Sequence, residues 1–383
     1  MASRLNRHLE HWQSAGLLDG AAAERIRAFE GRRAEQLRHG RPVGLVLGLG
    51  GLMVAAGVML FVAAHWQQFS PASRFLLVLL LVASFHLLGG AAAERLPVLS
   101  KVFHAVGTGC LGAGIFLSGQ IFNLEEDWAA GFLLWGIGAA LAWLIRRDWI
   151  QSALAALLFP TWAVGEWSLQ TWGYAAGQIA IQGLFLLALA YLTAVTPEKD
   201  SAERRSLCWM GWIAVIPLAI WVLFAAHKPY ESSELPVYWK AFGWSVVIVA
   251  PLLLALILRG ASWRALCYNL AAIPWVVILG TIDVYIYPKP QGAFGHFWHS
   301  QGPFVWCAIG ALGMIGSGVA DSRKERINLG LLGFAVTIVA FYFSSVMSKL
   351  GRSISLIGLG LLFLLLGIAL HEARKRLLKR MAG

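Results

Sequence analysis

Stretches of about 20 almost wholly apolar residues recur along this chain, near 43–64, 75–93, 98–121, 129–145, 149–166, 174–195, 207–226, 238–258, 263–280, 303–320, 326–345 and 353–371. A bilayer core of ~30 Å takes about 20 such residues per helix. Hydrophobic residues make up 58% of the chain and charged ones only 13%, about half the quarter found in soluble domains. A soluble nucleic-acid binder or cytosolic enzyme is excluded, despite a net charge of +11. The pattern predicts an all-α polytopic integral membrane protein of about 12 transmembrane helices, spanning residues 43–371.

Charge orients it. Twelve spans put both ends on one side, and that side carries 25 of the 31 Lys and Arg, against 6 opposite. Basic residues stay cytoplasmic. Both termini are therefore expected in the cytoplasm of a bacterial inner membrane, the basic tail 372–383 included. The net charge follows from topology and anionic headgroups, so the lipid bilayer is the expected partner and no nucleic acid is needed. Ten tryptophans, Trp66, Trp128, Trp149, Trp167, Trp172, Trp209, Trp239, Trp263, Trp298 and Trp306, fall at predicted span ends, where an indole keeps its ring apolar and its N–H hydrated.

Residues 1–42 read as a cytoplasmic helical hairpin. Ser3 caps a helix with Leu5, Leu9 and Trp12 on one face. The run Gly16-Leu17-Leu18-Asp19-Gly20 breaks it, and Asp19 caps a second helix along Ala22, Ile26, Phe29 and Leu37. Arg41-Pro42 marks the entry to the first span. About 40 residues bury too small a core to stand alone. The hairpin is expected to dock on the membrane domain, on a second copy of the chain or on another membrane protein, or to lie on the lipid as an amphipathic anchor. No signal peptide is apparent, because the first apolar run follows 42 mostly polar residues. The cysteines, Cys110, Cys208, Cys267 and Cys307, are dispersed, which argues against a disulfide or zinc site.

Three motifs carry a resemblance. Trp12-x-x-x-Gly16-Leu17-Leu18 lies in the hairpin. Gly119-Gln120-Ile121-Phe122-Asn123-Leu124, Asp127 and Gly131-Phe132-Leu133-Leu134-Trp135 lie in the middle. Leu350-Gly351-Arg352-Ser353 and Arg374-Lys375-Arg376-Leu377-Leu378 bracket the last span. Together they resemble the bacterial predicted membrane proteins of the domain of unknown function 2157 family. The resemblance implies a multi-pass inner-membrane protein and no activity; it also implies a histidine where Asn123 stands.

Ionisable and amide groups at membrane depth are expensive and therefore candidates for function. His86 lies about 16 Å into the second span, near the midplane. Its structural reading is a neutral imidazole bonded between helices, and its functional one a proton relay or solute ligand. His104 sits nearer the cytoplasmic end of span three. Gln178 and Gln182 share a face of span six, for interhelical bonding before any polar cavity. At the outer ends Gln120, Asn123, Asp127 and Glu166 are expected to approach one another, because short loops join their spans. With His86 they form a candidate periplasm-facing cavity. His296 and His299, in the aromatic outer loop 281–302, are weak metal candidates: His-x-x-His supplies two ligands and no third is evident.

Stripes at Gly44/Gly48/Gly51, Gly107/Gly109/Gly112/Gly114, Gly310/Gly313/Gly316/Gly318 and Gly330/Gly333 suit close helix packing, with a broken transport helix at Gly107–Gly119 as the sharper alternative. No Walker, metalloprotease, hydrolase or redox motif occurs, no cytoplasmic loop has room for a nucleotide-binding domain, and no cofactor is expected. Two functions stand. One is transport or handling of a small solute or lipid through the polar cavity. The other is a non-catalytic scaffold or accessory subunit assembling with other membrane proteins or as a homo-oligomer. A membrane-embedded enzyme ranks third.

Overall fold

The computed structural model of the chain describes residue 9 and residues 12–65, 68–122, 127–172, 174, 176–195, 200–225, 234–259, 263–281 and 292–346, with scattered positions from 357 to 376. The described residues are helical, without strands. The chain divides into two units, Met1–Glu126 and Asp127–Gly383.

In the first unit α1 (Gly20–His65), α2 (Pro71–Ala91) and α3 (Pro97–Phe122) follow in order. Gly16 turns the chain with φ +68°, which glycine adopts without steric cost. Asp19 then caps α1 by accepting from the amide of Ala22. Leu9 and Ala23 are fully buried, while Phe29 and Leu17 are exposed, so the hairpin's buried position is Ala23 rather than its predicted neighbour Ala22. The second hairpin helix does not stop at Arg41-Pro42. It continues into the first predicted span as one helix of 46 residues, about 69 Å long. Gly48 and Gly51 of α1 face Val98, Leu99 and Val102 of α3, and Gly114 of α3 faces Val78 of α2. Phe85 and Cys110 form the buried centre between α2 and α3.

The second unit runs α4 (Trp128–Arg146), α5 (Trp149–Gln170), α6 (Gly177–Leu192), α7 (Ala202–Ala225), α8 (Val237–Arg259), α9 (Trp263–Thr281), α10 (Ala293–Ala320) and α11 (Lys324–Phe341), closed by a π turn at Tyr342–Val346. The corner between α4 and α5 follows from local chemistry. Arg147 takes the left-handed conformation that ends α4, and Asp148 accepts from the amides of Ile150 and Gln151 to start α5. The corner between α10 and α11 also turns through a left-handed residue, Ser322 at φ +53°, without a side-chain cap at the start of α11.

α6 is the central post. It packs against α5, α7, α8 and α9, and nine of its 16 residues are buried. A helix apolar all round belongs in a core. At about 24 Å it is shorter than the ~30 Å hydrocarbon layer. Its neighbours, not lipid, surround it. Gly211 lets α7 lie directly on it, since a methyl there would run into the backbone of Ala188 and Leu192. Outward from this core large apolar residues are bare, such as Ile145 at 80% and Ile257 at 74% exposure. In water such surface would associate; in lipid it is solvated.

Each predicted stretch from 43–64 to 326–345 falls on one of α1–α11, and the ten described residues of 353–371, between 357 and 368, are helical. Among the described residues seven helices, α2, α3, α4, α7, α8, α10 and α11, are long and apolar enough to cross a membrane. α6 and α9 offer shorter apolar segments, Gly177–Leu192 and Leu266–Gly280. α5 has the length but carries Gln151, Pro160 and Glu166.

Pro160 shows how an interrupted helix is repaired. Proline has no N–H, so the carbonyl four residues back, that of Ala156, loses its helical donor. The hydroxyl of Tyr191 in α6 donates to that carbonyl at 2.7 Å. We expect Tyr191→Phe to cost about 1–2 kcal/mol, the penalty for an unmet buried acceptor. The loss should shrink when Pro160→Ala restores the amide. Denaturant titration of the two single variants and the double variant in detergent reads the coupling; additive losses would show that the hydroxyl has no such role.

Candidate functional site

Three polar groupings stand out. The first lies between α2 and α3. His86 and His104 join Nδ1 to Nδ1 at 3.0 Å, with His104 buried. Each ring lies against a glycine of the other helix: His104 on Gly89 and His86 on Gly107. Ser100 adds a hydrogen bond to the carbonyl of Gly89 at 2.6 Å. One Nδ1 must donate and the other accept, so the two rings hold opposite tautomers. The Gly107 end of the third predicted span is thus used for close approach.

The second grouping ties α6 to α9. Gln178 donates through Nε2 to the carbonyl of Gly280, and Gln182 packs on the same glycine, whose missing side chain leaves it room. Above it, Trp275 and Trp306 each donate an indole N–H to the other's carbonyl, at 3.0 and 2.8 Å. Trp306 therefore finds its partner on a neighbouring helix, and Trp167 does likewise at the carbonyl of Ala176.

The outer candidates are placed only in part. The side chain of Gln120, Asn123 and the side chains of His296 and His299 lie outside the described residues. Asp127 caps α4, accepting from the amide of Ala130 at 3.0 Å. Glu166 accepts from Gln170 at 3.0 Å. Trp128, next to Asp127, packs over Gly165, next to Glu166, so these two carboxylates flank one contact. Among the described residues no group of three or more His, Cys, Asp or Glu is arranged to hold a metal ion.

The third grouping is a cavity of about 320 Å³ at the ends of α6, α7 and α11, within the size range of small-molecule sites. Its walls are Leu192, Val195, Asp200, Arg205, Cys208, Trp209, Trp212, Arg323, Glu325, Arg326 and Asn328. Its arginines are sorted by geometry. Arg205 grips Asp200 with two bonds, at 2.6 and 3.1 Å. That fork first, then the charges of Arg205 and Arg323, hold the Asp200 carboxyl below the usual carboxylate range against partial burial. Its contribution is complete above the ordinary carboxylate pKa and is lost as pH falls through the lowered one. Arg326 is fully buried and bonds Asp321 at 2.9 Å, with Tyr268 donating to the same carboxylate and lying under the guanidinium. Breaking such a pair strands a buried charge. Arg204, just outside, donates to the carbonyls of Ala194 and Leu258 beyond the end of α6 and in the last turn of α8. Arg374 reaches the rim to bond Asn328 at 2.9 Å.

Arg323 differs. No acid or carbonyl bonds its guanidinium among the described residues: its Nε and Nη2 are buried without a hydrogen-bond partner, as are those of the Asp321-bound Arg326. Sequence reading missed this site, counting its arginines only as topology markers. A signal was present: Asp-Ser-x-x-x-Arg occurs twice, at 200–205 and 321–326, each time ahead of or at a helix start and each time closing an Asp–Arg pair.

Residues 10–151 match the family model described as "Predicted membrane protein (DUF2157)", the family that the sequence motifs resemble. No curated protein and no solved structure matches the chain at a significant level.

The histidine pair generates a test. His86→Gln keeps a group able to bond His104 and should leave stability and the complementation of a deletion phenotype intact. His86→Leu should lose about 0.6 kcal/mol of coupling with His104, and no more than about 1.7, the range for intramembrane hydrogen bonds. A His86→Gln variant that is normally stable yet fails to complement would assign the pair a proton-handling role instead.

Proposed function

We propose that this DUF2157 chain is a multi-pass protein of the bacterial inner membrane, with about 12 spans and both termini cytoplasmic, that handles a small polar solute or lipid. The observation that carries this reading is the charged cavity at the ends of α6, α7 and α11. Those ends belong to the side that holds 25 of the 31 Lys and Arg. The positive-inside rule makes that side cytoplasmic. The site therefore opens to the cytoplasm or to the inner leaflet, rather than toward the periplasm as the outer carboxylates suggest. A charged cavity beside a bare apolar surface suits a molecule taken from, or delivered to, that boundary.

Orientation is tested by cysteine labelling. Ser300→Cys, near the other end of α10, should react in intact cells with a membrane-impermeant maleimide. Labelling only after lysis would reverse the topology. The handling role is tested by filling the cavity. Asn328→Trp should leave membrane abundance unchanged while abolishing complementation of the deletion phenotype. Full complementation by that variant would remove the cavity from function.

The scaffold reading draws on α1. At about 69 Å it is more than twice the thickness of the hydrocarbon core, so a long segment stands outside the layer. Such a rod suits contact with another membrane protein or a second copy.

A further inference from the structure

We propose that the cavity between α6, α7 and α11 binds a phosphate group, presented by an anionic lipid headgroup or a soluble phosphate, with Arg323 as its principal ligand. The inference deepens the handling role and rests on it for the site's purpose, though not for its chemistry. The first ground is elimination. Arg205 is held by Asp200 and Arg326 by Asp321, Arg204 is spent on two backbone carbonyls, and Arg374 on Asn328. Arg323 alone of the set has no acid or carbonyl bonded to its guanidinium among the described residues; the Nε and Nη2 of Arg326 also lack acceptors, but Asp321 holds its guanidinium.

A guanidinium stays charged at every accessible pH and presents donors in a plane. Burying two guanidinium nitrogens without acceptors is costly, and an oxyanion in the adjoining cavity would lower that cost with charge-assisted bonds. The second ground is the wall opposite. Trp209 and Trp212, edge to face at 5.6 Å, and Leu192 line the same space, giving an apolar flank beside a cationic one. The exposed Trp209 marks the level where indoles and headgroups meet. Basic pockets between helix ends on the cytoplasmic side suit lipid phosphates. Of the two carboxylates in the wall, Asp200 is engaged by Arg205, and Glu325 is exposed and hydrated. Neither is bonded to Arg323, whose charge is felt at Asp200 without an ion pair.

The test uses the purified full chain and two probes. One is inorganic phosphate, titrated in detergent at constant ionic strength. The other is phosphatidylglycerol, introduced into nanodiscs of phosphatidylcholine, whose choline offsets its phosphate. The wild-type unfolding temperature should rise saturably with at least one probe. A response to phosphate alone identifies a soluble ligand, to phosphatidylglycerol alone a headgroup, and to both the phosphate group itself. Arg323→Gln should weaken the response about tenfold or more, the scale of one lost charge-assisted bond. Lys324→Gln, the same charge change one residue away, should retain it. No wild-type response to either probe overturns the proposal, as does an equal loss in both variants or an undiminished response in Arg323→Gln. Should Arg323→Gln fail to fold, Arg323→Lys replaces it: a weaker response supports the fork and an unchanged one overturns it. Phosphate binding that depends on Arg323, beside a harmless Asn328→Trp, would keep the ligand and discard the handling role. Lost complementation in Asn328→Trp with no phosphate response would do the reverse.

Discussion

Inside a bilayer no water waits to bond a stranded polar group, and that constraint shapes every contact described above. An N–H or C=O released from its helix must find a partner on another one. Tyr191 meets the carbonyl that Pro160 leaves open. Trp275 and Trp306 exchange indole bonds across α9 and α10. Gln178 reaches the backbone of α9 at Gly280, and Ser100 that of α2 at Gly89. These bonds are individually modest. Their effect is directional: apolar surfaces in lipid have little preference for one another, so a few polar ties and glycine notches select which faces meet.

This division explains how much was legible in the sequence. Existence and length of the helices come from composition, which the chain supplies in excess. Asp19, Asp148 and the break at Arg146–Asp148 are local signals and were readable as such. Partner choice was not readable. When almost every residue of a helix is apolar, no stripe distinguishes the core face from the lipid face. α6 illustrates the point, since its composition resembles that of the helices around it, yet it is the one they enclose. The glycines carried part of the missing information. Gly310, Gly318 and Gly330 each abut a neighbouring helix, whereas Gly313 and Gly316 have nothing beside them among the described residues, and spacing alone treats all five alike.

The cavity was hidden for a different reason. Positive charge at helix ends answers the topological question so completely that each arginine seems accounted for. Three-dimensional placement shows that the same residues serve separate ends: carbonyl caps, ion pairs and, at Arg323, a cation with no bonded partner among the described residues. The doubled Asp-Ser-x-x-x-Arg was the readable clue, because a carboxylate placed five residues ahead of an arginine at a helix start is a pairing pattern, not a topology marker. The outer carboxylates show the converse. Asp127, picked out for cavity chemistry, also serves as a helix cap.

The histidine pair joins these threads. His86 and His104 approach because Gly89 and Gly107 have no side chains: a methyl at Gly107 would run into the His86 ring and one at Gly89 into the His104 ring. Helix spacing and hydrogen bond are therefore one feature. A glycine in that position reads from sequence as a packing residue, and a histidine as a chemical one. Here each histidine fills the notch that a glycine opens on the facing helix, so packing creates the chemistry. The Nδ1-to-Nδ1 bond needs a single proton between two nitrogens. The same closeness that fixes α2 on α3 holds that proton between the two rings.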